Sequence, residues 1–178
     1  MNNYFINSAS KPSLFSVELN ATSGRKVDSV ILPIPQSVIY RGEEMDFSDN
    51  TGIGTCADYL SKKYLMQEGA EGTYFIASDP FTLIEGVLNG AVETPLVVCS
   101  QCRDLHWVIQ MILFSTVMKL HKLGISVVFV KDDIEFRPDE DFASLTKRFA
   151  KHIGCYTPEL DKGIDALIQK HAKEGIAA

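Results

Sequence analysis

The sequence predicts a single α/β domain in which a short, mainly parallel central sheet carries helices on both faces. Between residues 73 and 131, short apolar runs alternate with longer segments that have helical start and stop signals, which is the pattern of consecutive βαβ units. The apolar runs lack polar alternation, as expected of parallel strands covered on both faces. A chain of 178 residues has the usual length of one domain with one core.

A β-rich region of about 1–45 precedes this core. Residues 14–20 approach the alternation of apolar and polar side chains typical of a strand, and residues 27–32 form a second apolar run. We predict that these two runs pair as a hairpin and that residues 38–40 add a third short strand. Residues 41–54 are polar, acidic and glycine-bearing, which predicts a loop. A helix is then expected from about Cys56 to Gln67, capped by Thr55.

The βαβαβ core of about 73–131 has stronger local signals. Residues 73–77 predict its first strand, and Asp79-Pro80 has the form of an N-cap followed by a first-turn proline. The helix that begins there is expected to reach Asn89. Residues 95–99 and 125–130 predict two further strands, and a long helix from about Arg103 to Leu123 joins them. We expect the three strands to be parallel neighbours.

The long helix is apolar around most of its circumference between Trp107 and Met118. A surface helix normally has one apolar stripe, so this helix must be covered either by other parts of the chain or by another subunit. The C-terminal helices of about 141–174, expected at 142–153 and 158–173, are candidates for the internal cover. From the apolar helix we predict a non-catalytic binding, assembly or regulatory protein that self-associates and forms a homo-oligomer.

Charge and composition narrow the classes of partner. The formal net charge of −6 disfavours non-specific binding to nucleic acid or to anionic membranes, and a nucleic-acid-binding module stays as a second alternative. The sequence opens without a cationic, apolar signal segment, and no apolar run is long enough to span a bilayer. We therefore expect a soluble, cytoplasmic protein with reduced thiols and no membrane partner.

Polar side chains follow the predicted core strands, at the sheet edge where open parallel sheets bind ligands. The first alternative function is therefore a small metal-assisted hydrolase or transferase. Asp79 also suits an N-cap, Asp104 suits a first helical turn, and Asp132 with Asp133 suits a solvated turn. Cys102 and His106, four residues apart on one helix face, would pair a nucleophile with a base. The candidate catalytic residues are Asp79, Cys102, Asp104, His106, Asp132 and Asp133.

Four metal-ligating side chains occur in two closely spaced pairs. Cys99 and Cys102 form a Cys-x-x-Cys, and His152 and Cys155 form a His-x-x-Cys. Together they have the composition of a tetrahedral zinc site, although cysteines also serve as small buried apolar residues. No complete nucleotide-binding motif is present, and we expect no cofactor unless these four residues bind zinc. The paired carboxylates at the strand ends are also of the type that holds a hard cation such as magnesium.

Overall fold

A six-stranded sheet forms the centre of the protein. The computed structural model describes residues 15–16, 25–34, 37–40, 43–46, 52–65 and 73–174. The strands are β1 (Phe15–Ser16), β2 (Arg25–Lys26), β3 (Ser29–Ile31), β4 (Ser37–Tyr40), β5 (Glu43–Asp46), β6 (Thr73–Ile76), β7 (Val92–Glu93), β8 (Leu96–Cys99), β9 (Ser126–Phe129) and β10 (Ile134–Phe136). The helices are α1 (Ile53–Leu65), α2 (Pro80–Leu88), α3 (Trp107–Lys122), α4 (Phe142–His152) and α5 (Pro158–Glu174).

The order of the central sheet is β1-β6-β3-β8-β9-β10. Its first five strands are parallel and β10 is antiparallel to β9. Two small two-stranded sheets complete the β structure, the parallel pair β2–β7 and the antiparallel pair β4–β5. The predicted α/β class with a mainly parallel central sheet is confirmed.

Helices cover both faces of the sheet because successive strand side chains point to opposite faces. Ile31, Val98 and Val128 pack with Cys56 and Leu60 of α1 on one face. On the other face, the neighbouring strand positions pack against α2, α3 and α4. Strands β8 and β9 are almost entirely buried, which explains their unbroken apolar sequence.

Local capping sets the ends of the helices that the sequence predicts well. Asp79 caps α2 and Asp141 caps α4, each accepting hydrogen bonds from first-turn backbone N–H groups. Gly90 and Gly124 follow α2 and α3 with φ of 74° and 77°, which is the left-handed conformation that glycine adopts at helix ends. The helices predicted at 80–89, 142–153 and 158–173 are present within one residue of those bounds.

The predicted N-terminal pairing is wrong. Strands β1 and β3 do not pair with each other as a hairpin, because both run parallel to β6, which lies between them. The hairpin is instead β4–β5, so residues 43–46 of the predicted loop are a strand, and α1 begins at Ile53 rather than near Cys56. Residues 17–24, and residues 41–42 and 47–51 of the predicted loop, lie outside the described residues.

The position of β3 also corrects the predicted core. It lies between β6 and β8, so the strands at 73–76 and 96–99 are parallel but not adjacent. Helix α3 begins at Trp107 instead of Arg103, because His106 occupies the cap position and accepts a hydrogen bond from Val108 N–H. Cys102 and Asp104 therefore precede the helix, and Cys102 does not share a helix face with His106.

An aromatic cluster joins the sheet to α3 and α4. The ring of Phe149 in α4 lies 5.1 Å from that of Phe114 in α3, 6.2 Å from Phe129 in β9 and 5.2 Å from Phe136 in β10. Phe129, Phe136 and Phe149 are completely buried. This packing holds the C-terminal end of α4 near the ends of β8 and β9. None of the helices in the described part of the chain is both long and apolar enough to cross a bilayer.

Candidate functional site

The strand order places a topological switch point between β3 and β8. The chain passes from β3 through α1 to β6 on one side, and from β6 through α2 to β8 on the other. Ligands of open α/β sheets bind at such a point, beyond the carboxyl ends of the strands. Here, however, Gly52 packs so closely on buried Ser100 that a Cβ at Gly52 would lie 2.1 Å from Ser100 Oγ. The crevice is therefore closed between these two residues.

A cluster of potential ligand side chains lies one strand further along the sheet, beyond the ends of β8 and β9. Cys102, Asp132 and His152 bring one sulfur, one oxygen and one nitrogen ligand atom within 4.8 Å of one another. Cys102 follows β8, Asp132 lies in the turn between β9 and β10, and His152 is the last residue of α4. We call these three residues the strand-end cluster. His152 Nε2 is 3.4 Å from Asp132 Oδ2.

Backbone hydrogen bonds hold the strand-end cluster in position. Asp132 Oδ2 accepts hydrogen bonds from the N–H groups of Cys102 and Arg103, which ties the β9–β10 turn to the loop after β8. Gln110 Nε2 of α3 donates to the Cys102 carbonyl at 3.2 Å, and Arg103 Nε donates to the His152 carbonyl at 3.4 Å. Each of the three elements that supply the cluster is therefore linked to another one.

The surroundings of the strand-end cluster set its protonation. Burial and the adjacent carboxylate of Asp132 raise the pKa of the Cys102 thiol. Burial alone would raise the pKa of Asp132, but the N–H groups of Cys102 and Arg103 outweigh it and hold that pKa below its ordinary value. A neutral, fully buried thiol beside a carboxylate lacks the electropositive surroundings that activate nucleophilic cysteines.

The backbone near the cluster has unusual conformations at two non-glycine residues. Asp104 has φ of 61° and Asp133 has φ of 50°, in the left-handed region that aspartate tolerates better than most residues. Both side chains are exposed and neither belongs to the cluster. The turns in which they lie direct Cys102 and Asp132 towards each other. Conformations of this kind are concentrated at functional sites.

The structure gives two of the other candidate catalytic residues, Asp79 and His106, capping roles. Asp79 Oδ1 accepts hydrogen bonds from the N–H groups of Phe81 and Thr82, and its Oδ2 accepts from the hydroxyls of Ser78 and Thr82. His106 caps α3 through Nδ1. Neither residue joins the strand-end cluster among the described residues.

The four predicted zinc ligands separate into two groups. Cys102 and His152 lie in the strand-end cluster, whereas Cys99 and Cys155 lie outside it. Cys155 is exposed and Cys99 is fully buried, and burial raises the pKa of the Cys99 thiol well above its usual value. The spacing of the cysteine and histidine pairs thus identified two members of the cluster. The sequence analysis named the third, Asp132, as a candidate catalytic residue and not as a zinc ligand.

A second candidate site is an apolar surface shared by α2 and α3. Phe81 and Leu88 of α2 are 69% and 66% exposed, and Trp107 and Met111 of α3 are 52% and 49% exposed. A cleft of about 320 Å³ between the helices is lined by Phe81, Ile84, Trp107 and Met111, among others. We call this region the α2–α3 surface. The sequence indicated the α3 part. The seven-residue spacing of Phe81 and Leu88 was the available signal for the α2 part.

No family model, curated protein or solved structure matches the chain. Function is accordingly argued from the α2–α3 surface and the strand-end cluster. The sheet, α2 and α4 cover most of α3, so internal packing satisfies the greater part of its apolar circumference. What remains exposed is the stripe of Trp107 and Met111, one helical turn apart.

Proposed function

We propose that this chain is a non-catalytic assembly protein that forms a two-fold dimer through the α2–α3 surface. The observation that carries the proposal is the exposure of four large apolar side chains on one face. With roughly 200 Å² for each large side chain, their exposed fractions amount to about 450 Å² of apolar surface. Contiguous patches of about 300–600 Å² are the largest on typical monomers and are often functional.

A second copy of the chain is the occupant that best fits this surface. A two-fold interface requires a surface that is complementary to itself. The α2–α3 surface has protruding rings, Phe81 and Trp107, beside a cleft lined by Ile84 and Ile112. A volume of about 320 Å³ is small for a ligand pocket, since these occupy roughly 300–1,000 Å³, but it accommodates a side chain from the other subunit.

Charge supports the same arrangement. Glu85 and Lys119 both line an adjoining groove that also contains Phe81 and Leu88, and both are exposed. Neither forms an ion pair within the described ranges. In a two-fold interface, Glu85 of one subunit can face Lys119 of the other, and the reciprocal pair forms by symmetry. Such pairs orient the partners, while the apolar side chains supply most of the affinity.

Sedimentation velocity across a wide concentration range tests this proposal. We expect a monomer–dimer equilibrium in the wild type and a dimer affinity at least about 30-fold lower in Phe81→Glu, since central aromatic residues contribute about 2 kcal/mol or more. Phe142→Glu is the matched control, because Phe142 is a 43% exposed phenylalanine on α4. A wild type that stays monomeric throughout, or an equal loss in the control variant, would refute the proposal.

A charge exchange tests the orientation separately. Glu85→Lys should weaken the dimer by placing two cations opposite each other, and adding Lys119→Glu should restore it. Failure of the double variant to recover would exclude the two-fold arrangement while leaving the apolar surface as a site for another protein. We also propose that the protein is cytoplasmic, because the sequence predicts thiols that are kept reduced.

A further inference from the structure

We propose that the strand-end cluster binds one zinc ion through Cys102 Sγ, Asp132 Oδ and His152 Nε2. This site is independent of the α2–α3 surface. It differs from the quartet suggested by the sequence, because a carboxylate from the β9–β10 turn replaces Cys99 and Cys155. The three ligands come from three different elements, so the bound ion would join the loop after β8, the β9–β10 turn and α4.

The distances in the cluster suit a tetrahedral ion. Nitrogen and oxygen ligands at roughly 2.0–2.2 Å from zinc lie about 3.3–3.6 Å apart in tetrahedral geometry. His152 Nε2 and Asp132 Oδ2 are separated by 3.4 Å, which is one edge of such a tetrahedron. The ligand atoms of all three residues lie within 4.8 Å of one another. Closing around an ion therefore requires Cys102 Sγ to move by at most about 1 Å, which is within the reach of a side-chain rotation.

An unsatisfied polar atom gives independent support. His152 Nε2 is buried, and its contact with Asp132 Oδ2 at 3.4 Å falls outside hydrogen-bond geometry, although buried polar atoms in folded proteins are almost always paired. Its nearest acidic neighbour, Asp132 Oδ2, already accepts two backbone hydrogen bonds. An ion between the two side chains would satisfy the ring nitrogen, and the backbone N–H groups would orient the carboxylate as they do for ligands in known metal sites.

The donor set selects the metal. Metal binding would displace the Cys102 thiol proton to solvent. The resulting thiolate and the Asp132 carboxylate neutralise the charge of a divalent ion, so the buried site carries no net charge. A thiolate with an imidazole favours zinc over magnesium or calcium, which prefer oxygen ligands. Three protein ligands leave the fourth tetrahedral position to a solvent molecule. The side chains of His152 and Asp132 are 11% and 8% exposed, so the cluster lies just below the protein surface.

Titration of the chelator-treated protein with Co²⁺ ions alone tests the site. We expect one equivalent bound per chain, tetrahedral visible bands and a thiolate-to-cobalt charge-transfer band, all displaced by added Zn²⁺. Cys102→Ser should abolish the charge-transfer band. His152→Gln should lower affinity by at least about 10-fold, since even the loss of a group that orients a ligand costs about 10–100-fold. Cys155→Ser, an exposed thiol three residues beyond His152, should leave the spectrum unchanged.

Three outcomes would overturn the proposal: a wild type that binds no stoichiometric cobalt, a charge-transfer band that persists in Cys102→Ser, or one that disappears in Cys155→Ser. Thermal unfolding gives a readout that needs no variant. Zinc at about 100 times its dissociation constant should raise the wild-type melting temperature by about 5–10 °C. An unchanged melting temperature would count equally against the site.

Discussion

Replacing Phe149 with leucine is expected to destabilise the protein because this ring anchors α4 to the rest of the fold. Phe149 is completely buried and its ring contacts three other phenylalanine rings, in α3, β9 and β10. Leucine fills part of the volume but cannot make aromatic contacts. The variant therefore reports the contribution of the cluster without inserting a polar group.

The magnitude follows from the number of ring contacts. Each aromatic pair contributes about 0.5–1.5 kcal/mol beyond the burial of its area. Taking the lower end for three pairs, and adding a small cavity, gives a loss of about 2 kcal/mol. For a protein of this size, 2 kcal/mol lowers the melting temperature by about 4–8 °C. Full truncation to alanine would cost about 3–5 kcal/mol and approach the stability of the whole fold.

Urea unfolding followed by circular dichroism measures this loss, with the m-value checking that the unfolded state is unchanged. Phe142→Leu is the control, since Phe142 lies on the same helix and is 43% exposed. We expect the control to change stability by less than about 0.5 kcal/mol. Equal losses in the two variants would show that the buried cluster does not anchor α4. Since His152 lies three residues after Phe149, the same variant should also weaken cobalt binding.

Three further predictions concern single residues. Gly52→Ala should destabilise the protein by more than about 1 kcal/mol in thermal unfolding, since Gly52 has φ of 69° and approaches Ser100 closely. Gly54→Ala, at a helical position with open space around it, should be neutral or stabilising. A larger loss of stability in Gly54→Ala than in Gly52→Ala would contradict the described packing. The pKa of Asp132 is lowered in the folded state, so its stabilising effect is present above its ordinary pKa of about 4 and is lost as pH falls through the lower value. Metal-free Asp132→Asn should therefore have a lower free energy of unfolding than the wild type at neutral pH, and this free energy should depend less on pH below about 4. A pH dependence equal to that of the wild type would exclude this linkage. Finally, a thiol reagent should modify Cys155 rapidly in the native protein and the three buried cysteines only on unfolding. The rapid modification should be absent from a Cys155→Ser variant, and its persistence there would contradict the described burial.

The elements that the sequence predicted well have local determinants. Helix α2 is bounded by an aspartate cap, a first-turn proline and a glycine at its end, all within about ten residues. Strand β8 is recognisable because burial on both faces requires an unbroken apolar run. The start of α3 was placed four residues early because Arg103 and Asp104 have no strong helix-breaking character. The positive φ of Asp104 depends on tertiary contacts of this loop, such as the Asp132 carboxylate on Arg103 N–H.

Non-local pairing accounts for the larger errors. The run at 27–32 is largely apolar and follows Ser23-Gly24, a dipeptide typical of turns, so a hairpin with the preceding run is the simplest local prediction. In the structure, Val30 instead pairs in parallel with Phe75 of β6 and Val97 of β8, more than forty residues away. Nothing within a short window distinguishes these two solutions. Val30 and Ile31 are fully buried. The central position of β3 in the sheet explains this burial, whereas an exposed hairpin would not.

The strand-end cluster shows the same dependence on topology. Cys102 and His152 could be recognised as ligands by type and spacing, but Asp132 enters the cluster only because β10 turns back against β9 and places its carboxylate on the loop after β8. The same turn keeps the carboxylate away from bulk solvent, so the bland interpretation of Asp132 as part of a solvated turn does not fit its burial. A buried carboxylate needs hydrogen-bond donors or a cation. Backbone N–H groups supply the first. The contact of His152 Nε2 with this carboxylate, which falls outside hydrogen-bond geometry, is the reason to expect the second.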